Sequence, residues 1–349
     1  MESLREAMTI TDVKALTTAE RENFTPLTYA CATNNLGEVI NLLIFGANPQ
    51  DVDLDRRNPL ICAVFTNSIE IVETLLKKGI SDLKCPTNQA AFCGACFLGN
   101  LSMVEMLLQA GAKAKSGYLE ALEYTILKKH AITYAAQYGH LDIVKLLLKH
   151  GANPNPGKYE LPEAYNDSPI FWAIKNDDLE MVKVLIKAGV DPKARCGHFE
   201  NFWISSPIHY AAEYGRGNII DYLIELGVDY DSTRDVISRT PLSVACNHGM
   251  IDVVNKLIGL GAEINGKCSF GRTPLHFACR SQDSEAHVIK NIILTLVNNG
   301  ANVNCQSKWK CTPLHWAQSK IAVETLIELG SDVNITDDMG RKANIHRFD

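Results

Sequence analysis

Two thiols three positions apart, Cys93-Gly94-Ala95-Cys96, have the spacing of a redox or zinc pair. A structural zinc site needs four ligands, and no second CxxC or nearby His pair completes the set. Three histidines, His209, His276 and His315, are the residue type best suited to proton transfer near neutral pH. None stands in a GxSxG or HExxH motif, and no phosphate-cradling GxxxxGK[ST] run is present. The acids and lysines from Lys175 to Lys187 (Asp177, Asp178, Glu180, Lys183) read as a solvated helix surface. No cofactor, metal or catalytic set is expected from this inventory.

What must position these residues is a repeat. Thr240-Pro241-Leu242 recurs as Thr273-Pro274-Leu275 and Thr312-Pro313-Leu314, with variants at Thr25, Asn58, Ser168 and Ser206 and degraded copies at Ala90 and His130. Nine copies thus start near 25, 58, 90, 130, 168, 206, 240, 273 and 312. Column six is Ala in every copy, from Ala30 and Ala63 to Ala278 and Ala317. In the first seven copies column eighteen is Leu and column twenty-two is Gly, as at Leu147 with Gly151 and Leu257 with Gly261. Thr or Ser caps a helix and Pro presets its first turn. Ala lets two helices approach, segments such as Leu141–Leu148 carry apolar residues at helical spacing, and Gly ends the second helix in a left-handed conformation. Each unit is a helix, a turn, a helix and a loop, and stacking of units supplies the core that one unit lacks.

These columns resemble the ankyrin repeat family. The fullest copy is Thr273-Pro274-Leu275-His276-Phe277-Ala278, and Gly139-His140-Leu141-Asp142-Ile143-Val144 matches the second-helix signature. The resemblance spans about residues 25 to 334. It implies an all-α solenoid of about nine stacked helix-turn-helix units with hairpin-like loops, binding one or more proteins or peptides through a concave face and having no catalytic centre of its own. Residues 1–24 are expected to form an N-terminal capping segment, and 335–349 a tail or degenerate tenth copy opening at Met339-Gly340-Arg341. The family's column-four histidine hydrogen-bonds between neighbouring loops, which makes His209, His276 and His315 structural. Cys96 stands in column seven with Cys31, Cys246 and Cys279, where the family has a small buried residue.

Departures from the repeat locate candidate partner-binding residues. Three connections are long (111–130, 151–168, 189–206) and carry Tyr118, Tyr124, Tyr159, Tyr165, Phe199, Phe202 and Trp203. Three residues before each cap, five consecutive loops have Tyr165, Trp203, Ile237, Phe270 and Trp309, a candidate ladder of large side chains at loop tips. The competing reading is that each ring folds back on its own helix. Columns eight and nine face the groove in this family and include Phe65, Phe97, Leu98, Tyr138, Lys175, Glu213 and Tyr214. The eighth copy has six extra residues around Ser281–His287, expected in the turn between its helices, and the ninth is three residues short. Family loops with Leu followed eight residues on by acidic–aliphatic–Asn are hydroxylase substrates. Leu257 with Asn265 and Leu326 with Asn334 fit that pattern, although Asn also stabilises turns unaided.

Composition bounds the partner and the compartment. In 349 residues there are 40 acids against 34 Lys and Arg, a net charge of −6, which argues against nucleic acid as partner. No apolar run is long enough for direct membrane insertion, and the opening MESLREAMTITDVKALTTAEREN lacks a signal-peptide core. Eleven cysteines without an export signal read as reduced thiols of a cytoplasmic or nuclear protein. Protein-binding scaffold or adaptor is the leading expectation. A regulatory ankyrin fragment of a larger enzyme or ion channel, and a substrate-recognition adaptor of a ubiquitin ligase, are the alternatives; for the last, the 15 residues after Asn334 leave no room for a recruitment box.

Overall fold

The computed structural model describes residues 23–80, 82–115, 130–156, 168–194, 205–231, 235, 237–281 and 285–345. The chain divides into two compact units, residues 1–159 and 160–349. Among the described residues there are eighteen helices and no strand, and Thr336 and Lys342 form an isolated antiparallel bridge.

The first unit contains α1 (Pro26–Ala32), α2 (Leu36–Ile44), α3 (Pro59–Phe65), α4 (Ile69–Lys78), α5 (Pro86–Leu98), α6 (Leu101–Gln109), α7 (Ala131–Gln137) and α8 (Leu141–Lys149). The odd-numbered helices stack on one another, and so do the even-numbered ones, making two layers. The second unit repeats that plan with α9 (Pro169–Lys175), α10 (Leu179–Lys187), α11 (Pro207–Glu213), α12 (Gly217–Glu225), α13 (Pro241–Asn247), α14 (Ile251–Gly259), α15 (Pro274–Arg280), α16 (Ala286–Asn298), α17 (Pro313–Trp316) and α18 (Lys320–Glu328).

The two layers differ in how much of each helix they bury. In α8, Ile143, Val144 and Leu147 are buried while Asp142, Lys145 and Lys149 stay outside, so one stripe faces inward. In α9 the six residues from Pro169 to Ile174 are all buried, because α9 lies between its own partner α10 and the next first-layer helix α11. Column-six alanines such as Ala173, Ala211 and Ala245 are wholly shielded there, which is the close approach their size permits. Phe92 and Tyr134 in the first unit, and Phe171, Tyr210 and Phe277 in the second, fill the odd-numbered layer of their own unit, each contributing about 2 kcal/mol of burial. The expected glycine ends are present: Gly111 and Gly261 leave their helices at φ of 104° and 91°.

Two details differ from the expected register, and a third narrows the expected abbreviation of the ninth helix pair to one helix. Helix α5 begins at Pro86 under a Cys85 cap, a turn earlier than the cap column at Ala90. The added turn is held by Asn88, which donates to the Asp82 carbonyl at 2.8 Å, and by Gln89, which donates to the Lys113 carbonyl at 2.9 Å. The insertion in the eighth copy does not all go into the turn: α16 has 13 residues where α14 has 9. The shortening of the ninth copy falls on α17, which has 4 residues. The expected cap over residues 1–24 lies almost entirely outside the described residues.

Candidate partner-binding surface

Among the described residues, five loops share one backbone. In each, the first residue's N–H donates to the carbonyl four residues on, and the fourth residue's N–H donates back to the first residue's carbonyl. The pairs are Asp53 with Arg57, Asp235 with Arg239, Cys268 with Arg272, Ser307 with Cys311 and Asp337 with Arg341. The fourth position is left-handed in all five: Arg56, Ser238, Gly271, Lys310 and Gly340 have φ between 56° and 74°. The residue before it is thereby put at the tip. Those tips are Asp55 in the first unit and Ile237, Phe270, Trp309 and Met339 in the second.

Consecutive tips in the second unit are tied together by main chain. The carbonyls of Ile237, Phe270 and Trp309 accept from Ser269, Lys308 and Asp338 N–H at 2.9, 2.9 and 3.1 Å. Phe270 and Trp309 consequently stack, with centroids 5.4 Å apart and planes 25° from parallel. Trp309 is 41% exposed and Met339 73% exposed. The three described ladder residues are therefore in register, and Met339, which the ladder pattern did not include, extends them. Tyr165 and Trp203, with the other aromatic residues of the long connections, lie outside the described residues.

The remaining candidates form two further groups. In the first unit, Phe97 meets Tyr138 edge-on at 4.5 Å and Phe65 at 6.5 Å. In the second, Tyr214 meets Phe171 edge-on at 6.1 Å, and Lys175 Nζ stands 5.8 Å from the Tyr214 ring and 5.1 Å from that of Trp172. Burial and then the adjacent Glu213 carboxylate push the Tyr214 phenol up to about 12, so it stays protonated and serves as a donor.

Models of known families match almost the whole chain. One described as ankyrin repeats in three copies matches residues 7–87, 27–118, 92–196, 198–268 and 242–337. Another, ankyrin repeats in many copies, matches residues 170–224. The chain belongs to the ankyrin repeat family. It is similar to the ankyrin repeat protein L371 of Acanthamoeba polyphaga mimivirus, at 29% identity over 176 residues, and that alignment covers 48% of this chain and 22% of the viral protein's length. It also resembles the crystal structure of the human ASB11 ankyrin repeat domain, at a TM-score of 0.54 and 24% identity, over 69% of this chain and 98% of that one. This second likeness concerns the fold. Ankyrin repeats generally mediate protein–protein interaction, and the three histidines singled out earlier are used here to hold the repeats together.

Each column-four histidine bridges two ankyrin repeats. His276 Nδ1 accepts from Thr273 N–H at 3.1 Å, which leaves Nε2 to donate to the Cys311 carbonyl at 3.0 Å. His315 does the same between Thr312 and Arg341, and His209 joins Ser206 to the Arg239 carbonyl. Burial is the main cause that pulls His276 down to about 4, so it is neutral in its place. Cys93 and Cys96 lie buried inside α5. Desolvation pushes Cys93 up to about 12 and Cys96 well above the ordinary thiol range, which disfavours the thiolate that redox or metal chemistry requires. Asn265 donates to the Gly300 carbonyl at 2.9 Å and accepts from Asn302 N–H at 3.0 Å, whereas Asn334 accepts from Lys342 Nζ at 2.9 Å.

Two residues beside the ladder escaped the column reading. The Arg272 guanidinium carbon lies 3.8 Å from the centroid of the Trp316 ring, 5.1 Å from Phe270 and 5.4 Å from Trp309. Trp316 sits on the shortened α17 of the following ankyrin repeat. The detectable signal was the unmatched Arg272 itself: its loop has Cys268 where the loops of Arg57, Arg239 and Arg341 have Asp.

Proposed function

We propose that this chain is a non-catalytic scaffold or adaptor that binds a protein or peptide partner, with the loop-tip ladder as its principal contact. The observation that carries this reading is the row Ile237, Phe270, Trp309 and Met339. These large apolar side chains sit on successive tips held in register by backbone hydrogen bonds and are partly open to solvent. Aromatic residues presented on a rigid base are the usual anchors of interfaces, since little side-chain entropy remains to be lost on binding. The Phe97–Tyr138 and Tyr214 groups are secondary contacts in the same proposal, and Tyr165 and Trp203, which share the spacing of Ile237, Phe270 and Trp309 in the sequence, belong to it on that pattern alone. Among the described residues no helix is long and apolar enough to cross a membrane, and no cluster of three or more His, Cys, Asp or Glu could hold a metal. The eleven cysteines of the sequence support a cytoplasmic or nuclear location in this reading.

The test is affinity capture with cross-linking mass spectrometry, comparing the natural chain with a Phe270→Ser/Trp309→Ser variant whose fold is checked by circular dichroism and melting. Recovery of the partner by the natural chain should fall at least roughly tenfold in the folded variant. Equal recovery by both would remove the ladder from the interface, and absence of any cross-linked partner would count against the scaffold reading itself. The same spectra report whether Asn265 or Asn334 carries an added oxygen, as the hydroxylation reading requires.

A further inference from the structure

Arginine ends the loop in four of the five cases, and in three of them a buried or nearly buried Asp answers it. Arg57 Nε lies 2.7 Å from Asp53, Arg239 Nε 2.6 Å from Asp235 and Arg341 Nε 2.8 Å from Asp337. The fourth loop keeps the arginine and replaces the carboxylate with the Cys268 thiol, whose sulfur accepts from Phe270 N–H just as Asp235 accepts from Ile237 N–H. The backbone is conserved and the counter-charge is gone. Arg272 Nε is shielded from solvent and has no hydrogen-bond partner among the described residues. No carboxylate there lies in ion-pair range of its guanidinium.

A second cation shares the place. The Arg280 guanidinium lies 5.6 Å from the same Trp316 ring, is exposed, and likewise has no ion pair among the described residues. Exposed Lys308 and Lys310 flank Trp309. On a chain of net charge −6 this is a local concentration of positive charge, with three aromatic rings embedded in it. Burial, reinforced by the charge of Arg280, lowers the proton affinity of Arg272, which is the response of a guanidinium lacking an anion.

We propose that Arg272, Arg280 and Trp316, with the stacked Phe270–Trp309 pair, form the docking site for an acidic segment of a partner protein, an Asp or Glu carboxylate being received by the guanidiniums while an adjacent apolar side chain lies against the rings. A guanidinium stacked on a ring face keeps its in-plane N–H groups for a carboxylate, which they meet bidentately. The loops of Arg57, Arg239 and Arg341 show that this backbone already seats a guanidinium against a carboxylate. A monoanion suits the site better than a phosphate, because half of the surroundings are aromatic and a dianion would lose more solvation on entering. The inference rests on the protein-binding reading above and assigns the partner's chemistry at one end of the ladder.

The experiment uses the full chain and fluorescence anisotropy with three labelled peptides of about twelve residues. One alternates Glu with Leu and Phe, one replaces each Glu by Gln, and one replaces each Glu by phosphoserine. Two variants accompany the natural chain. Arg280→Gln changes an exposed side chain and leaves the fold undisturbed. Cys268→Asp supplies the missing internal carboxylate, so it should occupy Arg272 without removing any positive residue, with a melting temperature at or above that of the natural chain. The natural chain should bind the Glu peptide, bind the Gln peptide roughly tenfold more weakly or worse, and lose affinity as salt rises. Both variants should weaken the Glu peptide by a similar factor. Equal binding of the Glu and Gln peptides, retention of Glu-peptide binding by both folded variants, or binding of the phosphoserine peptide alone would each overturn the proposal. So would failure of all three peptides to bind, and that result would leave the scaffold reading to the partners captured in the ladder experiment.

Discussion

In the loop that ends at Arg239, the guanidinium meets the Asp235 carboxylate at 2.6 Å. In the loop that ends at Arg272, one repeat further on, it meets the Trp316 ring at 3.8 Å. The two backbones are nearly interchangeable, with the same pair of closing hydrogen bonds and the same left-handed fourth residue. The ion pair therefore does not create the loop conformation, because the loop persists where the pair is absent. What the pair changes is the surface. Arg239 is neutralised from within and only 12% of its side chain is exposed, whereas Arg272 presents an unanswered charge among aromatic rings. A repeat fold can thus hold its geometry by main-chain bonds and histidine bridges while single substitutions at one loop position turn a structural cation into a binding group.

The largest expected effect comes from imposing the Arg272 situation on the other loop. Asp235 accepts from Ile237 N–H, Arg239 N–H and Arg239 Nε, and its side chain is fully shielded. Asp235→Ala removes all three bonds and leaves Arg239 without its counter-charge. The expected loss is about 3–5 kcal/mol in urea unfolding, in line with breaking one side of a buried ion pair. A loss below about 1 kcal/mol would mean that Arg239 can swing onto neighbouring rings as Arg272 does, Phe277 being 5.9 Å away, and that the two loops are energetically equivalent after all.

Next in size is a pH effect at the base of the Arg272 loop. Burial holds His276 at about 4, and the positive charges of Arg272 and Lys267 push in the same direction, against the bond to the Cys311 carbonyl. The folded value lies below the unfolded value of about 6.5, so between these two the unfolded chain binds more protons. The stability attached to His276 is complete above about 6.5 and is lost as pH falls toward about 4, by about 3 kcal/mol in all. The measurement is the proton titration of the imidazole, alongside urea unfolding at pH 7 and pH 5. Cys268→Asp sharpens the comparison: a carboxylate answering Arg272 should raise the His276 value, while an unchanged titration would show that burial alone sets it.

The helix pairs were legible because their determinants are local and recur. Caps such as Thr240 and Thr273, alanines such as Ala211 and Ala245, and glycines such as Gly261 each act within a few residues of themselves. The ladder was legible in its spacing, since Ile237, Phe270 and Trp309 hold one position relative to their caps, but Met339 fell where only the opening of a further copy is present. Helix α5 was misjudged at its start because Cys85-Pro86 stands ahead of the expected column, and because Asn88 and Gln89 make side-chain bonds that no periodicity encodes. Arg272 and Trp316 were missed for a different reason. Their meeting depends on where two side chains from successive repeats point, and the absence of an Asp has meaning only once the other loops show what the Asp does.

The smallest expected effect isolates the one backbone difference between the two loops. Both require φ near +60° to +75° at the fourth position; Ser238 adopts 62° with a side chain, and Gly271 adopts 74° without one. A Cβ at Gly271 would stand 2.9 Å from Lys308 N, the donor to the Phe270 carbonyl, so room for it requires the next loop to move. Gly271→Ala should cost about 1–2 kcal/mol, combining the left-handed penalty with loss of that inter-loop bond. Ser238→Gly, relieving the same conformation in the paired loop where Ser238 accepts a bond from Ser269 Oγ, should change stability by less than about 1 kcal/mol. The pair of variants separates backbone strain from loop spacing. If Gly271→Ala costs no more than the left-handed penalty, the Lys308–Phe270 bond survives the added methyl and Phe270 still stacks on Trp309. If it costs more and also abolishes the 5.4 Å ring stack, seen as a change in tryptophan fluorescence, then the glycine is what lets the unpaired loop approach its neighbour closely enough to assemble the aromatic surface around Arg272.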